Sequence, residues 1–124
     1  MSTTKINKDG LRRLVPALDA VKERDAAALR VKTLELASLE AEIARLEDSI
    51  LEAAAQLAPG DFAAETAYLR FRDLTRGHID RLTPRREALI AERDAAREVL
   101  ARSYGKLEGV SRLLERPDPA RRGV

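Results

Sequence analysis

From Leu11 onward apolar residues return at alternating steps of three and four. Leu11, Val15, Leu18, Lys22, Asp25, Leu29, Lys32, Leu36, Leu39, Ile43, Leu46, Ile50, Ala53 and Leu57 share one register, and only Lys22, Asp25 and Lys32 among them are polar. A mean spacing of about 3.5 residues, held over so long a run, is the repeat of a supercoiled helix; a lone surface helix follows about 3.6 and drifts off such a stripe. An arm of this kind cannot bury the stripe against itself. It requires a partner helix.

The repeat stops at Leu57-Ala58-Pro59-Gly60-Asp61. Proline removes a backbone donor, glycine accepts a positive φ, and Asp61 is placed to cap the amides of a following helix. The pattern then resumes through Tyr68, Arg72, Thr75, Ile79, Leu82, Arg86, Leu89, Arg93, Ala96, Leu100, Ser103, Leu107, Val110 and Leu114, with five polar members. Arms of similar length around a short turn favour an antiparallel intramolecular pair, since closing a small loop costs less entropy than recruiting a second chain.

The expected fold is therefore all-α, a long antiparallel two-helix coiled-coil hairpin over residues 11–116 with its turn near 58–61. A flexible N-terminal leader, 1–10, and a disordered C-terminal tail, 117–124, are expected to flank it. The free protein is expected to be a monomer. Partners across the seam should sum to about 121 in residue number, setting Leu39 against Leu82, Leu11 against Val110 and Asp25 near Arg93. The polar seam residues either pair there or carry their charges out to solvent on long stems. Thr83-Pro84 reads as a kink or a helix restart capped by Thr83, Gly77 weakens the same stretch, and Pro16 marks where the firm helix begins.

Composition bounds the chemistry. The chain is 35% charged and 3% aromatic, the mixture of a long helix, and it has no cysteine for disulfides or thiolate metal sites. No apolar run approaches the roughly 20 residues that cross a bilayer, and residues 1–10 lack a secretory core, so neither membrane insertion nor secretion is expected, and the cytoplasm is the default. His78 is the sole histidine, and no phosphate-binding loop or nucleophile elbow occurs. Neither an enzyme nor a cofactor or metal site is expected. With 23 Lys plus Arg against 21 Asp plus Glu, the net charge of +2 is too small to hold nucleic acid by phosphate attraction.

The distribution of charge says more than its sum. Residues 35–65 carry eight acids against Arg45 alone, while residues 70–86 carry six arginines against Asp73 and Asp80. These flanks attract and help select the antiparallel pairing. The end where the termini meet holds Lys5, Lys8, Arg12, Arg13, Arg112, Arg116, Arg121 and Arg122. A basic end suits an acidic collar or ring on a protein partner, though such charges also serve plain solubility. Beyond the turn, Tyr68 fits the seam, whereas Phe71 and Leu74 fall beside it as an exposed strip running towards His78, a candidate anchor for a partner. A register shift at Gly77 or Pro84 would instead turn Phe71 inward.

Three stretches carry a resemblance to a known family: Leu11-x-x-Leu14 with Leu18 and Lys22 to Ala27; Tyr68-x-x-Phe71-x-x-Leu74 with Ile79; and the closing run from Arg97 to Arg116. Together with the arm lengths they make the chain resemble the FliJ family, the coiled-coil component of bacterial flagellar export related to the YscO-type stalks of type III secretion. The resemblance implies an antiparallel hairpin whose paired termini enter the pore of the hexameric export ATPase, FliI. It also implies contact with the export gate protein, FlhA, escort of export chaperones, and a cytoplasmic location at the inner-membrane export apparatus. On this sequence the ATPase-facing end is the one bearing Arg12, Arg13, Arg112 and Arg116, and the gate-facing patch holds Tyr68, Phe71 and Leu74. The family often has tyrosines on the turn-side half of its first arm, where this chain has Leu39, Ile43 and Ile50. From the residues alone, a general coiled-coil adaptor or tether is the alternative reading.

Overall fold

The computed structural model describes residues 7–117, which form two helices, α1 (Lys8–Ala55) and α2 (Phe62–Glu115), with no strand among them. The fold is an all-α helical hairpin. Cross-helix partners show the antiparallel sense: Lys32 meets Glu92, Glu35 meets Arg85 and Glu42 meets His78. Those pairs sum to 124, 120 and 120 in residue number, against the 121 expected from the turn position. The leader and tail fall largely on residues 1–6 and 118–124, outside the described residues; Lys8 to Gly10 are helical.

Local chemistry explains the ends of both helices. Asn7 opens α1, its Oδ1 accepting the Gly10 amide at 3.0 Å and its carbonyl accepting the Leu11 amide at 3.0 Å. Between the helices, the Asp61 amide donates to the Ala58 carbonyl at 3.4 Å, with Pro59 second and Gly60 third in the turn. Gly60 has φ 85°, the combination of a type II turn, in which only glycine takes the third place without strain. Asp61 then caps α2, its Oδ1 accepting the Ala64 amide at 3.1 Å.

The expected helix start at Pro16 and restart at Thr83 both fail. Pro16 lies inside α1, which already begins at Lys8, and Pro84 lies inside a continuous α2, with no restart at Thr83. Thr83 does not cap; its Oγ1 donates back to the Ile79 carbonyl at 2.9 Å. Each proline deletes one helical hydrogen bond, at a cost of about 3 kcal/mol in a helix interior. Both rings stand on the exposed side, and inward-facing residues continue in register on either side of each, so seam packing offsets the loss.

The chain divides into two compact units. The turn unit spans Val31–Asp94 and the terminal unit joins residues up to Arg30 with those from Ala95. In the turn unit, Leu36, Ile43, Ile50 and Leu89 are the buried apolar side chains, each worth roughly 1.5–3 kcal/mol of burial. In the terminal unit the residues buried to that degree are polar, Asp25 and Ser103. Its stretch of α2 also carries Gly105 and Gly109, and a Cβ added at either would meet nothing within 4 Å, so packing requires neither glycine.

Hydrogen exchange should therefore find the slowest amides around Ile43 and Leu89 and faster opening over 8–30 and 95–115. Gly105→Ala with Gly109→Ala should add about 0.5–1 kcal/mol each and slow exchange in the terminal unit alone. Uniform protection along both helices would contradict this account.

Candidate functional site

Two surfaces carry the residues that sequence reasoning singled out. The first belongs to the terminal unit, where Lys8 Nζ donates to the Arg116 carbonyl at 2.7 Å and so ties the start of α1 to the end of α2. Arg12, Arg13, Arg112 and Arg116 are all exposed at this end. They are not equivalent. Arg12 is held by Asp9 at 3.0 Å and Arg112 by Glu108 at 2.5 Å, each on its own helix. Arg13 and Arg116 form no ion pair with another described residue, so they are the charges presented for a partner. Lys5, Arg121 and Arg122 lie outside the described residues.

Deeper in the same unit, Ser103 Oγ donates a short hydrogen bond to Asp25 Oδ2, with Arg24 Nε 3.5 Å from the other carboxylate oxygen. Arg93, the partner expected for Asp25, pairs with its own neighbour Asp94 at 3.1 Å. A carboxylate one residue along the chain is reached at lower entropic cost than one across the seam. Lys22 sits nearby on the seam, with Asp19 at 3.0 Å, Glu23 at 3.3 Å and the Tyr104 ring centroid at 5.3 Å. The hydrogen bond to Asp19, then that to Glu23, raises the Lys22 pKa above the usual lysine value, against the opposing effect of burial. The ammonium is thus fixed as a cation over an aromatic face.

The second surface belongs to the turn unit. Tyr68 is half-buried in the seam, while Phe71 is 40% exposed and Leu74 is 71% exposed. The seam positions on either side, Arg72, Thr75 and Ile79, still face inward, so there is no register shift to draw Phe71 in. Further along α2 the same unit holds an ionic cluster: Lys32 with Glu35 and Glu92 at 3.9 and 3.3 Å, and Arg85 with Glu35 and Glu92 at 3.4 and 3.2 Å. His78 Nε2 lies 4.0 Å from Glu42. Among the described residues no group of three His, Asp or Glu side chains is placed to hold a metal ion, and no helix is long and apolar enough to cross a membrane. The hollows over Leu39 and Leu89, and beside Phe62 and Thr66, are shallow and open.

Sequence reasoning missed the Asp25–Ser103 bond and the four-residue ionic cluster. Asp25 finds its partner ten residues, nearly three turns, beyond Arg93, and side-chain reach decides the ionic cluster; neither is written in the apolar repeat. No family model, curated protein or solved structure matches the chain.

Ser103→Ala should strand the Asp25 carboxylate, which is 7% exposed, and cost about 1–3 kcal/mol in urea unfolding. Replacing both residues with leucine should be neutral or stabilising, because it removes the desolvation cost together with the bond. A single Ser103→Ala variant as stable as the parent would remove any structural weight from this pair.

Proposed function

We propose that the chain is a non-enzymatic coiled-coil component of a bacterial type III protein export apparatus, of the FliJ kind, acting in the cytoplasm at the inner membrane. In this reading its paired termini dock into the ring of a hexameric export ATPase. The strip of Tyr68, Phe71 and Leu74 meets the export gate protein, and the helices escort export chaperones. The observation that carries the reading is the joining of the two termini by Lys8 and Arg116, which presents Arg13 and Arg116 together on a basic end. Cations on that end match an acidic collar and speed docking by complementary charge.

A second reading, a general cytoplasmic adaptor or tether, is favoured by one feature. Arg12 and Arg112 spend their charge on Asp9 and Glu108, which thins the basic end. The exposed Phe71 and Leu74 would then be the principal anchors.

The two readings part on one measurement. Export ATPase from the same cell should be retained by the immobilised full chain, and Arg13→Glu with Arg116→Glu should weaken capture at least about tenfold while helicity is unchanged. Phe71→Ala with Leu74→Ala should leave that capture intact. No capture by the parent chain, or loss only with the Phe71 and Leu74 variant, would favour the adaptor.

A further inference from the structure

The outward side of each helix in the turn unit carries a stripe of its own. On α1 it runs Leu34, Ala37, Ala41, Ala44, Asp48, Leu51 and Ala55, at the three-and-four spacing of a coiled-coil seam, and every member is exposed. Leu34 is 70% exposed and Leu51 67%, far more than the internal seam of the same helix allows. On α2 the sequence Ala67, Arg70, Leu74, Gly77, Arg81, Pro84 and Ala88 repeats the same spacing, with Leu74 71% exposed and only Gly77 half-buried. Neither stripe is used by the hairpin's own packing.

The two stripes complement each other in size and in charge. Set parallel, with each α2 residue numbered 33 above its α1 counterpart, they place no two large apolar residues against each other, and each leucine meets a smaller residue. Leu34 faces Ala67, Ala41 faces Leu74, and Ala44 faces Gly77. The only atom near a Cβ added at Gly77 is Arg81 Nη1, at 4.0 Å, so another helix can approach there closely. The one acid of the α1 stripe, Asp48, faces Arg81. Both are exposed, and neither forms an ion pair with another described residue.

Charges beside the stripes choose the direction. In the parallel setting Glu40 and Glu47 run beside His78 and Arg85, and Arg45 beside Asp73, with Glu52 against Asp80 the one like-charged neighbour. In the antiparallel setting Glu40 and Glu47 run beside Asp73 and Asp80, two carboxylates against two. Opposite charges flanking a helix pair set its orientation as well as its partner.

We infer that the outer stripe of α1 is a docking site for the outer stripe of α2 from a second copy of this chain, in parallel, with Asp48 on Arg81 of the neighbouring copy. The inference does not rest on the export reading and competes with it for Leu74; it also revises the expectation of a monomer, which rested on the internal seam alone. Two different surfaces meet, so the contact is heterologous: each copy offers an acidic face to one neighbour and a basic face to another, and growth does not stop at a pair. One helix per copy makes a small contact, below the roughly 1,200 Å² of a standard stable interface, so association belongs to high concentration and low salt.

Sedimentation velocity on the full chain tests this from about 10 to 300 µM, at about 50 and 500 mM salt, where screening lengths differ severalfold. At low salt the average mass should climb above the 13.7 kDa of one chain without levelling at a dimer, and at high salt it should fall back. Asp48→Arg or Arg81→Asp alone should weaken association at least about tenfold, and the double exchange should restore it. All these positions are exposed, and circular dichroism will confirm unchanged helicity. A mass of one chain at every concentration would overturn the inference and leave the acidic stripe to a basic helix from another protein. A closed dimer indifferent to both single variants would overturn it equally.

Discussion

The hairpin depends on the packing of Leu36, Ile43 and Ile50 from α1 against α2, where Leu89 is the most enclosed apolar residue. A two-helix pair has no second layer, so each side chain meets neighbours on one side only and burial stays thin. Isolated long helices gain most of their stability from such a tertiary face rather than from propensity. This explains how α1 and α2 absorb Pro16, Pro84 and Gly77 without ending. A helix interrupted by one missing hydrogen bond continues if the next turn already has a seam to sit on.

That dependence also orders the molecule along its length. In the turn unit, where the most buried seam residues are mostly aliphatic, the cluster of Lys32, Glu35, Arg85 and Glu92 adds little beyond orientation. In the terminal unit, where most seam positions are aliphatic but only half-buried, the most buried pair, Asp25 and Ser103, adds a directional bond. A directional bond fixes register well, because a slip by one turn leaves a carboxylate buried without its donor. It contributes less to overall stability than the aliphatic layers do. The end that carries the free arginines is thus held in a definite register on a modest margin.

The fold was legible in the sequence because its determinant is periodic. Every position assigned to the seam, from Leu11 to Leu57 and from Tyr68 to Leu114, is buried or half-buried, and the type II turn with its Asp61 cap lies where Pro59-Gly60 placed it. The surfaces were legible only in part. Exposure of Phe71 and Leu74 follows from the heptad frame once the register is known to be unbroken. Which arginines are free does not follow from composition, because it depends on whether an acid lies three or four residues away on the same helix, as Asp9 and Glu108 do. The helix start at Pro16 and the restart at Thr83 misled because the local rule for proline was weighed without the seam on either side.

Pro59 has a consequence beyond shaping the turn. Antiparallel hairpins with short connections can exchange arms, if the linker straightens into helix and two chains then share one long double rod. Here the straightened linker would have to run helix through Pro59, whose ring clashes with the preceding turn and whose nitrogen has no hydrogen to give. It would also have to forgo the Asp61 cap and draw Gly60 from its positive φ into a conformation that glycine disfavours. A proline alone would not prevent this, since α1 and α2 already run through Pro16 and Pro84, but the lost Asp61 cap and the cost at Gly60 add to it, and together they disfavour arm exchange.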